Sequence, residues 1–188
     1  MKDIFKMIKF CVALTLISSQ HAYCLVLEST NNMRERIFPI SCEISGWSKD
    51  VQAHFLAHYW QKAPVLVRSA VPVEYVLKIT KNDLFDLSLS DDVESKLVQR
   101  VAGIVTKSYG PFTRRAISSL PNKDWTLLIQ EVDRHIPSVS DMWDIYFDLV
   151  PNWRRDDVMI SYAKPGGGIG AHIDDYDVFL LQGRCSGI

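Results

Sequence analysis

The chain has 188 residues, 47% of them hydrophobic and 23% charged, with a formal net charge of −1. This length suits one core-forming domain rather than two, and the composition is that of an ordinary globular protein. A chain this neutral has no global basic field for nucleic acid, so any polyanion contact has to come from a local patch. At the N-terminus, Lys2, Lys6 and Lys9 precede the apolar run from Phe10 to Ile17, with Ser18 and Ser19 after it. That is the layout of a secretory signal, too short to span a bilayer, with the small residues of Ala22-Tyr23-Cys24 as a candidate cleavage site. The other reading is a mis-assigned start, with Met33 as the true one. The first implies secretion or organelle import, the second a cytoplasmic protein. The expected division is 1–24 as signal or mis-assigned start, 25–46 as linker and 47–188 as the folded domain, with residues up to about 40 set aside from the fold.

Ser48 or Asp50 caps a predicted helix running to about Trp60, with Val51, Phe55, Leu56 and Tyr59 on its apolar face. Pro64 ends it, and Val65-Leu66-Val67 reads as a short buried strand. Asn82 or Asp83 to Leu87 reads as a helical turn. Lys96 to Thr106, interrupted by Gly103, reads as two short strands or a hairpin, and Gly110-Pro111 as a turn. Asp124 is expected to cap a second clear helix, since Trp125, Leu128, Ile129 and Val132 fall at helical spacing, and Pro137 to stop it. Val139 to Val150 is a further predicted helix, with Met142, Ile145, Tyr146 and Leu149 inward. Asp157 to Tyr162 is β-prone, Pro165-Gly166-Gly167-Gly168 forms a loop, and Val178-Phe179-Leu180-Leu181 is an apolar strand. Helices early and strands late give an α+β fold class. The cysteines, Cys11, Cys24, Cys42 and Cys185, contain no C-x-x-C pair, which gives no support to a zinc ribbon or dithiol site.

Within the C-terminal segment, His172 and Asp174 form an H-x-D pair. On an extended segment alternate side chains share a face, so an imidazole nitrogen and a carboxylate oxygen converge on one ion. Two histidines and a carboxylate on one face of iron leave positions open for an oxidant and O2. Standing alone, the pair reads more readily as a polar loop histidine hydrogen-bonded to Asp174. His54 and His58, at i, i+4 on the first helix, have zinc-capable spacing without an accompanying Glu and read as a solvated helix face. His135 reads as a cation complementing a helix C-terminus.

The order strand, glycine loop, H-x-D, apolar strand is the arrangement of the metal-bearing mouth of a double-stranded β-helix. Here the residues resemble a specific family. Trp60-Gln61-Lys62-Ala63-Pro64-Val65-Leu66, Gly110-Pro111-Phe112, Asp124 to Gln130 and Asn152 to Asp157 look like successive landmarks of the JmjC-type ribosomal oxygenases, bacterial-type protein arginine hydroxylases among them. The stretch from Met159-Ile160-Ser161 through the glycine loop, His172, Asp174 and Tyr176-Asp177-Val178-Phe179 to Gln182-Gly183 looks like their metal-site segment. The resemblance covers residues 47 to 183 in order. It implies a JmjC/cupin fold and Fe(II)- and 2-oxoglutarate-dependent hydroxylation of a ribosomal protein side chain. For the bacterial relatives that is an arginine β-carbon of large-subunit protein uL16, and for others a histidine. It also implies a homodimer in the full-length family. It makes His172 and Asp174 the first two iron ligands. Asp175, Tyr176 and Asp177 become second-shell or substrate-facing groups, though Asp177 equally suits a turn cap. Gly166, Gly167, Gly168 and Gly170 become residues of the mouth loop, or simply a connection between strands.

Three features depart from that pattern. No histidine follows Asp174, whereas the family's third ligand is a later histidine. Arg184 fits the family's basic turn, but Cys185-Ser186-Gly187-Ile188 does not. The family's later strands, dimerisation region and winged-helix region have no counterpart. The expectation is therefore a partial double-stranded β-helix with unpaired sheet edges, holding Fe(II) weakly through two donors. A frameshifted, mis-spliced or fragmentary gene product fits this better than a minimal enzyme. The alternative function is a non-catalytic JmjC-like module that binds a ribosomal protein or a full-length homologue through its open edge. A third reading takes the signal at face value and makes the chain a secreted or organelle-imported cupin.

Overall fold

The computed structural model describes residues 10–16, 24–28, 43–72, 74–75, 78–170, 172 and 177–182. In chain order the strands are β1 (Phe10–Leu16), β2 (Cys24–Glu28), β3 (Glu43–Ser45), β4 (Val65–Arg68), β5 (Ser95–Val101), β6 (Ile104–Tyr109), β7 (Trp125–Ile129), β8 (Arg155–Ala163) and β9 (Asp177–Gln182). The helices are α1 (Lys49–His58), α2 (Lys81–Leu87), α3 (Arg114–Ser118), α4 (Val132–His135) and α5 (Pro137–Tyr146), with a 3-10 turn at Asn152–Arg154.

Local chemistry sets most of the boundaries. The Ser48 hydroxyl accepts from the Val51 amide at 3.4 Å and starts α1. Thr80 and Asp83 satisfy each other's backbone amides in a capping box at the start of α2. Ala102 and Gly103 both lie at positive φ, the requirement of the tight primed turns that join antiparallel strands, and they close the β5–β6 hairpin.

The described strands form one mixed sheet in the order β3-β4-β2-β9-β1-β8-β7-β5-β6. Strand β1 runs parallel to both β8 and β9, while β7 is antiparallel to β5 and β8. Neither β3 nor β6 pairs with the other, so the described sheet is open. This is the α+β fold with an incomplete barrel. Register places Leu97, Leu127 and Tyr162 on one face, and that face packs into the core with Trp125, Ile129, Val158 and Ile160. Phe179 of β9 joins sheet to helices, with ring centroids 6.2 Å from Phe55 of α1 and 5.1 Å from Phe147 just after α5.

Three expectations are corrected. Trp125 to Ile129 is a strand, not a helix: all five residues are buried, and a strand covered on both faces reads as an apolar run that mimics helical spacing. Pro137 opens α5 rather than stopping a helix, since its missing N–H costs nothing at the first helical position. Leu56 and Ile145 point to solvent, and Gln52 takes the buried place beside Phe55, its side-chain amide donating to the Trp47 carbonyl at 3.1 Å. Residues 10–16 and 24–28 supply β1 and β2, and backbone pairing of β1 with β8 and β9 satisfies its polar groups.

Candidate metal centre

The loop between β8 and β9 is the segment on which the sequence reading places the metal ligands. It does not swing free of the sheet. The Lys164 amide donates to the Trp125 carbonyl at 3.0 Å, and the Asp124 amide donates to the Pro165 carbonyl at 2.8 Å. The loop is thereby pinned to the start of β7, and the Gly167 amide tightens it by donating to the Lys164 carbonyl at 2.8 Å. Two glycines make this approach possible. A Cβ at Gly167 would stand 2.1 Å from the Trp125 carbonyl oxygen, and one at Gly166, which also has φ +77°, would stand 2.2 Å from Asp124 Oδ1. Around Gly168 and Gly170 no atom of the described residues lies within 4 Å of such a Cβ, so among these residues the two stand in the open part of the loop. Under Gly167, the Thr126 hydroxyl is buried and has no hydrogen-bond partner among the described residues.

His172 follows this loop and is exposed. Its Nδ1 lies 3.0 Å from the Gly170 carbonyl oxygen. With the ring neutral and Nδ1–H donating, the lone pair sits on Nε2, the arrangement by which metal-binding histidines are oriented. Asp174, Asp175 and Tyr176 lie outside the described residues. Asp177 opens β9 and is buried. Its Oδ2 accepts from Gln61 Nε2 at 3.0 Å, tying the loop after α1 to the strand that follows the H-x-D segment. Gln61 is a residue to which the sequence reading gave no role of its own. A positive φ of 54° aims it, and no local pattern predicts a partner 116 positions away.

Among the described residues no three of His, Cys, Asp or Glu gather into a group that could hold a metal ion. The described chain thus contributes one imidazole on a braced loop. His54 and His58 are exposed on α1, stacked on each other with ring centroids 4.2 Å apart, as a solvated helix face requires.

A family model described as the JmjC domain matches residues 144–186. A probable ribosomal oxygenase of Haemophilus influenzae is 38% identical over 130 residues, which are 69% of this chain and 31% of that protein. The ribosomal protein uL16 3-hydroxylase of Escherichia coli is 38% identical over 130 residues, 69% of this chain and 34% of that protein. Among solved structures, the ribosomal oxygenase YcfD of Escherichia coli in complex with cobalt and 2-oxoglutarate matches with a TM-score of 0.58 and 32% identity, over 65% of this chain and 33% of that one. The chain spans about a third of the length of the curated relatives it matches. In sequence and in fold it is similar to the JmjC-type ribosomal oxygenases, as the motifs indicate.

Proposed function

We propose, from the premise that these residues carry the front part of a JmjC-type ribosomal oxygenase, that the chain belongs to an Fe(II)- and 2-oxoglutarate-dependent hydroxylase of a ribosomal protein side chain, arginine first. The observation that carries this reading is the braced glycine loop delivering His172 just ahead of β9, in a segment matched by the JmjC model. His172 Nε2 and the Asp174 carboxylate are the two donors that would hold the ion. When bound, iron with 2-oxoglutarate supplies the oxidising power that puts oxygen into a carbon–hydrogen bond. The chain's own part is positioning. The Gly170 carbonyl fixes the His172 ring, the β7 start fixes the loop, and the orphaned Thr126 hydroxyl is a donor of the kind a carboxylate co-substrate accepts from. A uL16-like arginine is the proposed target because the matched Escherichia coli relative is named for uL16 hydroxylation.

The second reading is a non-catalytic module that binds a protein through a sheet edge, and the observation that favours it is that β3 and β6 are edge strands of the described sheet. One experiment separates the two. Co(II) is titrated into the chain while its absorption spectrum is recorded, and 2-oxoglutarate turnover is measured with a uL16 fragment. Ligand-field bands lost in His172→Ala and in Asp174→Ala support the two-donor site, and turnover supports the enzyme. Bands unchanged by both substitutions would remove the metal centre, and a metal-bound chain without turnover would leave the binding module.

A further inference from the structure

From Ser95 to Lys123 the sequence has six cations, Lys96, Arg100, Lys107, Arg114, Arg115 and Lys123, and no Asp or Glu. The next segment, Asp124 to Asp157, holds eight carboxylates against Arg134, Arg154 and Arg155. The net charge of −1 therefore conceals two regions of opposite sign, and the fold exposes the basic one. Strand β7 pairs with Ser95 to Gln99 of β5, and the Arg100 amide donates to the Asp124 carbonyl at 2.8 Å, so only the turn end of the β5–β6 hairpin runs past β7, while β6 forms an edge of the described sheet. Every residue of β6 is exposed.

Register sorts the hairpin's side chains. Cross-strand partners share a face, and Lys96–Tyr109, Val98–Lys107 and Arg100–Val105 are alternate pairs, so all of them lie on one face. Lys96 Nζ sits over the Tyr109 ring at 5.5 Å from its centroid, as that assignment requires. Lys96, Lys107 and Arg100 thus follow one another along the ribbon at intervals of roughly 7 Å, two residues of strand rise. Among the described residues no carboxylate makes an ion pair with any of the three. Beside them, Tyr109 is 63% exposed and Val105 49% exposed.

We propose that this face of the hairpin is a binding site for single-stranded nucleic acid, probed here as RNA. A row of unneutralised cations tracks a phosphate backbone, and an exposed aromatic ring at the end of the row gives a base something to stack on. An acidic peptide matches the charge but makes no use of the tyrosine face. The site is independent of the metal centre, and nothing in it requires iron or turnover.

The test is fluorescence anisotropy of a labelled oligouridylate with the full chain across a salt series, with polyglutamate as competitor. Three phosphate contacts give a slope of log affinity against log salt of about −2, at about −0.7 per contact on single strands. The double variant Arg100→Gln/Lys107→Gln, both positions exposed, should cut the slope to about a third and weaken binding more than tenfold at low salt. Tyr109→Ala should weaken RNA binding about fivefold or more, the lower bound for losing one stacked base, and leave polyglutamate binding unchanged. Arg134→Gln, on α4, should change nothing. Absent binding, a slope unaffected by the double variant, or polyglutamate competing as well as RNA would each overturn the proposal.

Discussion

Strands β7 and β6 lie in the same sheet with only β5 between them, and their fates are opposite. Trp125–Ile129 is buried at all five positions, whereas Ile104–Tyr109 is exposed at all six. Both sequences are β-prone and both contain large apolar residues. The difference is position. β7 has a ladder partner on each side, helices over one face and the pinned glycine loop at its start. Among the described residues β6 has one strand partner, and all six of its side chains are exposed. Apolar character therefore made strands, and neighbours decided which strand became core.

The comparison can be broken most sharply at its buried end. Leu127→Ala should cost about 3 kcal/mol of stability, within the range for emptying a fully buried leucine site. Denaturant unfolding measures it, and a loss under about 1 kcal/mol would mean β7 is not the core strand described. Next comes the loop that caps β7. Gly167→Ala forces a Cβ against the Trp125 carbonyl and should cost about 1–3 kcal/mol, the range for overpacking, while Gly168→Ala, in open space, should cost far less. Equal effects at the two glycines would show that the loop is not seated on β7. At the start of the interior strand β9, a double-mutant cycle of Gln61→Ala and Asp177→Ala should return a coupling of about 1 kcal/mol, a typical net hydrogen bond. Additive losses there would dissolve the tie between α1 and β9. The smallest effect belongs to the edge: Ile104→Ser, at a residue 67% exposed, should stay within about 0.5 kcal/mol, and a larger loss would reveal cover over β6.

The glycine loop and the strands on either side of it were legible early because their signals are local. Glycines in series, H-x-D and a following apolar strand are read without knowing what packs where, and the family resemblance reaches the same residues. The bracing of that segment was not legible. Its hydrogen bonds join Pro165 to Asp124 and Trp125 to Lys164, pairs brought together only by the β7–β8 ladder. Gln61 and Asp177 met in the same way. The basic face was half-legible: the run of cations without carboxylates stands in the sequence, but the net charge of −1 averaged it away.

By itself the sequence determined the elements whose boundaries are set by short-range chemistry. These are the cap at Ser48, the break at Gly103 between two short strands, the glycine loop and the strands on either side of it. Only the tertiary structure decided that Trp125–Ile129 is a strand and that Pro137 begins a helix. It also drew Phe10–Leu16 into the sheet and seated the glycine loop on β7. For Trp125–Ile129 the physical reason is its surroundings. A continuous apolar run satisfies helix and buried strand alike, and the choice falls to whichever neighbours complete its backbone hydrogen bonds and cover both of its faces.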